Sequence, residues 1–290
     1  MTAFAMVLGT GRCGSTLVHE ILAQHADVGF VSNVDDRLGV RTRRSHVRAY
    51  RRLPPSITRK GRIRFAPSEA YRVLGREVSP LLADSDRDLV HADATPWLGG
   101  RLADFFQGRA EAQRFPHFLH KFTGWPRSGL IDAVLPETRF VTVVRDGRAV
   151  ANSWLQMPWW RGNLGPSGWH FGPLPAPLEQ VWEESDRSPV VLAGLGWALL
   201  SEAYDRAAAQ IPAERWCSVR YEDLLADPAA TFRLLLEHLR LPWTAQFARR
   251  LDTYSFETGR LAAYRQDLGP AATESLEAAI APALARHGYR

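Results

Sequence analysis

The 290 residues predict an α/β fold, a central parallel sheet flanked by helices. Three observations carry this. Short apolar runs alternate with helix-periodic stretches along most of the chain. The first run passes at once into a glycine-rich loop and a helix. A later run, Arg139-Phe-Val-Thr-Val-Val-Arg145, is apolar and β-branched, as in a strand covered on both faces.

Residues 4–8 form the first strand, ended by Gly9-Thr-Gly-Arg-Cys-Gly-Ser-Thr16. Leu17, Val18, Ile21 and Leu22 then recur at helix spacing. Residues 28–31 read as a second strand. An arginine-rich segment follows, broken by Pro54-Pro55, and 68–82 read as a helix. Further on, 89–93 read as a strand, 97–106 as a helix and 118–122 as a strand. After the run at 139–145, Asp146 caps a helix that reaches Trp154. Residues 155–187 are crowded with Pro, Gly and Trp and are long for a connection, so they read as a lid-like loop. A helix over 192–209, a strand over 216–221 and a helix over 228–239 complete the pattern. Without internal repeats, residues 1–290 read as one domain.

Composition bounds the function. Hydrophobic residues make up 46% and charged residues 23%, which excludes a disordered, collagen-like or coiled-coil chain. Two cysteines, Cys13 and Cys217, are too few for a disulfide scaffold and fit a reducing compartment. No apolar stretch approaches the roughly 20 residues of a membrane span. The N-terminus lacks the basic start of a signal peptide, and a cytoplasmic protein is expected. The formal charge of +5 is local: residues 37–64 hold eleven basic residues and no acid, whereas the rest holds 25 basic and 31 acidic residues. Lys60 and Lys121 are the only lysines, so chemistry that needs a lysine has little choice.

Two segments carry chemistry. In the loop at 9–16, glycines let the backbone approach an anion, and the helix start adds free N–H groups and a partial positive charge. Arg12, Ser15 and Thr16 add a charge and two hydroxyl donors. A phosphate fits. The loop resembles a nucleoside-triphosphate loop in part, but Ser15 stands where that loop has its lysine. The second segment, Val143-Val-Arg-Asp-Gly-Arg-Ala-Val-Ala-Asn-Ser153, places Arg145 at the end of a strand, where α/β sheets bind ligands. Ser153 lies two turns along the helix that follows.

Together these segments resemble the sulfotransferases that use 3′-phosphoadenosine 5′-phosphosulfate (PAPS), in their bacterial and carbohydrate or tyrosylprotein-like branch. Arg12-Cys-Gly-Ser-Thr-Leu17 is similar to that family's phosphosulfate loop, with Cys13 where serine is usual. Arg145 and Ser153 keep its eight-residue spacing for the 3′-phosphate, and Arg145-Asp-Gly-Arg-Ala-Val resembles its Arg-Asp-Pro-Arg-Ala-Val. Val219-Arg-Tyr-Glu-Asp-Leu resembles its adenine-side segment, which points to Tyr221. Thr258-Gly-Arg260 resembles a late segment whose arginine reaches the 3′-phosphate, and Tyr264 stands where tryptophan is common. The resemblance implies a P-loop-like nucleotide-binding sulfotransferase fold and PAPS as co-substrate; no metal is expected, since no His/Cys/Asp cluster has ligand spacing. Arg12, Cys13, Gly14, Ser15, Thr16, Arg145, Ser153, Tyr221 and Arg260 would bind the donor.

Lys121, 24 residues before Arg145, is at the place where family members keep a lysine for the departing bridging oxygen. Their catalytic histidine follows two positions later, where this chain has Thr123. The base must come from elsewhere. Asp35 and Asp36 are favoured, near Asn33, the counterpart of a tyrosylprotein-type glutamate. His120 and Asp93 are the other candidates, and strand alternation points His120 away from Lys121. The implied acceptor is a hydroxyl of a small molecule, glycan or lipid, with the arginines of 37–64 suggesting an anionic one. Tryptophans 154, 159, 160 and 169 offer faces for a ring. Nucleic acid is not expected, because no recognised module accompanies the basic run. A kinase with a degenerate loop and a non-catalytic binder remain the alternatives.

Overall fold

The computed structural model describes residues 2–53 and 65–289. Strand β1 (Ala3–Gly9) is the middle of a five-stranded sheet ordered β2-β3-β1-β4-β5. Its partners are β2 (Val28–Phe30), β3 (His117–Thr123), β4 (Arg139–Val144) and β5 (Trp216–Arg220). Every pairing is parallel.

Helix α1 (Ser15–Leu22) follows β1, and α2 (Asn33–Leu38), α3 (Arg44–Arg52) and α4 (Tyr71–Glu77) follow β2. Next come α5 (Pro96–Gln113), α6 (Ser128–Val134) after β3, and α7 (Gly147–Leu155) after β4. Then α8 (Ala176–Glu184) and α9 (Pro189–Gln210) lead to β5. The chain closes with α10 (Tyr221–Ala226), α11 (Pro228–His238), α12 (Ala245–Leu251), α13 (Ala263–Leu268) and α14 (Pro270–Arg286).

The period of two along β1 decides which layer each side chain joins. Met6 and Leu8 pack with Val73, Leu74, Leu102, Phe106 and Leu130 of α4, α5 and α6 on one face. Ala5 and Val7 pack with Val18, Ile21, Leu22, Phe232 and Phe247 of α1, α11 and α12 on the other. Burial on both faces explains the unbroken apolar run of β1, and the same holds for β4.

Two segments depart from expectation. Residues 89–93 are not a strand: they close a 3₁₀ turn (His91–Asp93). Asp93 accepts the Val90 N–H at 2.8 Å and two Arg87 N–H bonds at 2.8 and 2.9 Å, so local bonding outcompetes strand pairing. Residues 155–187 are a packed layer that includes α8. Trp160, Trp169, Phe171 and Leu174 are buried with Trp154 and Trp197 of α7 and α9. Trp154 stacks on Phe171 at 5.1 Å. Each such side chain contributes about 1.5–3 kcal/mol through burial, which holds the segment down. Among the described residues no helix is long and apolar enough to cross a membrane.

Candidate functional site

The carboxyl end of β1 lies between those of β3 and β4. The chain leaves β1 for one side of the sheet and later returns to the other. Such a switch point opens a crevice above the strand ends. Two adjoining cavities, of about 850 and 500 Å³, occupy it and share Arg12, Leu17, Arg145 and Tyr221.

The loop after β1 is wound by positive φ angles at Gly11 (85°), Arg12 (56°) and Gly14 (98°). Successive turns of this hand direct backbone N–H groups into a concavity that suits an anion. No side chain caps α1, so its opening N–H groups stay available on the same side. A Cβ on Gly14 would sit 2.3 Å from the Tyr221 ring, so glycine is required there for space as well as for φ. Cys13 is an exception within the loop. Its side chain turns into the core against Gly9 and lines neither cavity. A thiol is apolar enough for that place, which accounts for cysteine where serine is usual.

The second segment meets the first. Arg12 Nε donates to Ser153 Oγ at 2.9 Å, and Arg145 Nη1 donates to the Arg12 carbonyl at 3.0 Å. The Arg145 guanidinium lies over the Tyr221 ring at 4.8 Å, and its Nε is buried without a partner among the described residues. Arg12, Arg145, Ser153, Tyr221, Arg260 and Tyr264 line the smaller cavity together. The orphaned Arg145 N–H, beside two further arginines and a serine, fits a doubly charged phosphate. Asp146 caps α7 through the Arg148 N–H and grips the Arg148 side chain, so it fixes the strand-to-helix turn. A Cβ on Gly147 would meet the Trp197 ring at 2.3 Å, so Trp197 dictates glycine where the similar motif has proline.

Lys121 rises from β3 beside β1, opposite Val7. Its Nζ donates to Thr16 Oγ1 at 2.6 Å and pairs with Glu69 Oε1 at 2.5 Å. Thr123 Oγ1 donates to the same carboxylate at 3.3 Å, and Tyr71 holds the Thr123 backbone. Glu69, Tyr71, Thr16 and Thr123 line the larger cavity. Glu69 escapes sequence reasoning because no motif or spacing ties it to Lys121. A turn at Ala70 (φ 57°) brings it there, and that turn also shortens the expected helix to α4.

The carboxylates expected to act as base stand elsewhere. Asp35 is fully buried, accepts two bonds from Arg109 at 2.9 and 3.0 Å, and binds the Thr42 N–H at 2.8 Å. Asp36 accepts the N–H groups of Arg72 and Val73 and so caps α4. Neither lines a cavity, and neither does Asp93, Asn33 or His120. Asp93 is engaged by Arg87, whose hydrogen bond holds its carboxyl below the usual range. His120 sits between Phe106 and Phe122 at 5.1 and 4.7 Å, and burial drives its pKa down to about 3. It stays neutral and faces away from Lys121. Arginines 37, 41, 43, 44, 48 and 52 line neither cavity. Residues 54–64, the second half of the arginine-rich segment, lie outside the described residues.

The fold and site together define an α/β protein with a crevice at the switch point of a parallel sheet, arginines on one side of it and a lysine on the other. More narrowly, residues 5–245 match the model of the sulfotransferase family, and the chain belongs to that family. Solved structures share the fold. The sulfotransferase STF9 from Mycobacterium avium has a TM-score of 0.63 at 17% identity, over 100% of this chain and 78% of that one. The sulfotransferase domain from the curacin biosynthetic pathway has a TM-score of 0.56 at 12% identity, over 100% and 99%. The sulfotransferase domain of the Synechococcus PCC 7002 olefin synthase has a TM-score of 0.54 at 15% identity, over 100% and 95%. No curated protein matches the chain in sequence.

Proposed function

We propose that this sulfotransferase moves a sulfuryl group from PAPS to a hydroxyl of a small-molecule, glycan or lipid acceptor. The observation that carries the reading is the convergence of Arg12, Arg145 and Ser153 above the uncapped start of α1, with Lys121 at its edge. In this reading the loop at 9–16 and the α1 N–H groups hold the 5′-phosphosulfate. Arg145, Ser153 and Arg260 hold the 3′-phosphate, and Tyr221 packs on the adenine.

Sulfuryl transfer, like phosphoryl transfer, is in line, and charge develops on the leaving oxygen. Lys121 and Thr16 stabilise that oxygen as its bond to sulfur breaks. The acceptor oxygen forms the new bond to sulfur, and its proton passes to a base. Glu69 takes that role in place of Asp35 and Asp36, because it is paired with Lys121 and lines the cavity. The products are a sulfate ester and adenosine 3′,5′-bisphosphate.

Away from the loop at 9–16 and Arg145, the larger cavity is lined by Glu20, Glu69 and Asp84, by Arg127 and His170, and by Tyr71, Trp125, Trp159 and Phe171. Those side chains favour a neutral or cationic acceptor that bears a ring, rather than the anionic acceptor suggested by the arginine-rich segment.

The test is calorimetric titration with adenosine 3′,5′-bisphosphate beside ATP–Mg²⁺, repeated on Arg145→Ala. The bisphosphate is expected to bind, and the variant to lose about 10²-fold in affinity, as for a charge-assisted pair. Binding of ATP–Mg²⁺ with indifference to the 3′-phosphate would instead favour a kinase.

A further inference from the structure

The donor and acceptor cavities leave one built feature unused. Between α2 and α3 the chain crosses the surface as Gly39-Val-Arg-Thr-Arg43, yet this short loop is tied down from beneath. Thr42 is fully buried. Its N–H goes to Asp35 Oδ2 at 2.8 Å, its hydroxyl to Ser32 Oγ at 2.9 Å, and its carbonyl accepts from Gln113 at 3.2 Å. Arg109 in turn grips Asp35. The buried pair therefore anchors the loop backbone and fixes where its outward side chains stand.

Those side chains are of two kinds. Leu38 and Val40, on either side of the Gly39 turn (φ 68°), are 57% and 47% exposed. Arg37, Arg41 and Arg43 are exposed beside them. The basic surface continues into α3, where Arg44, Arg48 and Arg52 recur every fourth residue and stay exposed, while Val47 and Tyr50 face inward. Arg44 is braced over the Phe115 ring at 4.9 Å. Among the described residues no carboxylate comes within ion-pair distance of these six arginines. The carboxylate that α3 does feel, Asp27, acts on Arg51 on its buried side.

From this we infer that the face formed by residues 37–52 docks on an anionic phospholipid surface. The arginines take the phosphates, for which a guanidinium is suited as a two-pronged donor, and Leu38 and Val40 enter the headgroup boundary. The two exposed aliphatic tips favour a bilayer over a polyanion such as RNA or a sulfated glycan, which offers them nothing apolar. Docking places the enzyme on a membrane from outside and requires no spanning helix. It does not depend on which donor or acceptor the cavities take.

The test is co-sedimentation of the full chain with vesicles of phosphatidylcholine alone and with vesicles holding 30% phosphatidylserine. Binding is expected to the second and not the first, weakening as salt rises. Arg44→Gln with Arg48→Gln is expected to weaken it about fivefold per arginine, with folding checked by circular dichroism. Leu38→Ser with Val40→Ser should leave a weaker binding that salt abolishes completely. Equal sedimentation with both vesicles would overturn the inference. So would binding unmoved by the paired arginine substitutions, or binding to heparin or RNA but not to the charged vesicles.

Discussion

Two ion pairs, Arg109–Asp35 and Lys121–Glu69, do opposite things. In Arg109–Asp35 the side chains are 1% and 0% exposed, and every carboxylate oxygen is committed to a fixed partner. In Lys121–Glu69 the side chains are 4% and 31% exposed, and the Glu69 end opens on a cavity. Similar chemistry becomes scaffold in one case and candidate machinery in the other. Free valence makes the difference: a sealed carboxylate has no lone pair left for a substrate proton, whereas Glu69 has one facing solvent.

Breaking the sealed pair should have the largest effect. Asp35→Asn leaves the buried Arg109 charge with only the partly exposed Glu77, 3.0 Å away, to offset it and is expected to cost about 2–4 kcal/mol of stability. Denaturant unfolding reads this directly. Turnover of the folded fraction should stay within about twofold of the parent, and a selective loss of turnover at unchanged stability would return Asp35 to the catalytic set.

The open pair should respond in the reverse sense. Lys121→Ala is expected to lower kcat by about 10²–10³-fold, as for loss of a donor to a developing oxyanion, with a small change in melting temperature. Glu69→Gln should lower kcat with bisphosphate affinity little changed, and steady-state kinetics beside calorimetry separates the two. Unaltered kcat in both variants would reduce this pair to a second structural one.

A smaller effect tests the layer behind Lys121. The His120 pKa falls from an ordinary 6.5 to about 3 in the folded chain through burial. Burial also lowers the pKa of neighbouring His19, with Lys121 adding to it. Between pH 6.5 and 3 the unfolded chain therefore binds protons that the folded chain refuses. Stability is fully present above that window and falls as pH drops through it, by up to about 1.4 kcal/mol per pH unit for each such group. His120→Leu should flatten the decline in melting temperature between pH 6 and 4, and an unchanged slope would assign acid sensitivity to other groups.

Much of the architecture was legible because strands buried on both faces carry an unmistakable pattern, as at 139–145. The turn after β1 was legible for a related reason: Gly11, Arg12 and Gly14 shape it through backbone angles that are local in sequence. The false strand at 89–93 shows the limit of such patterns. The apolar run there is overridden by one carboxylate, Asp93, bonding its own turn. Residues 155–187 read as a lid-like loop because nothing local reveals that α7 and α9 present an apolar wall to Trp160, Trp169 and Phe171.

By itself the sequence determined the parallel α/β class, the glycine-rich turn at 9–16 and which lysine the chain could bring near it, since each rests on periodicity, local backbone geometry or plain scarcity. It also placed Arg145 and Ser153 on one strand-to-helix turn, through their spacing. Only the tertiary structure decided which acid meets Lys121. Asp35 and Glu69 are equally acidic on paper, and 34 residues separate them. Folding seals one under Arg109, from a helix more than 70 residues on, and swings the other over the cavity. Pairing across such distances in the chain is set by how layers pack, and no local pattern encodes it.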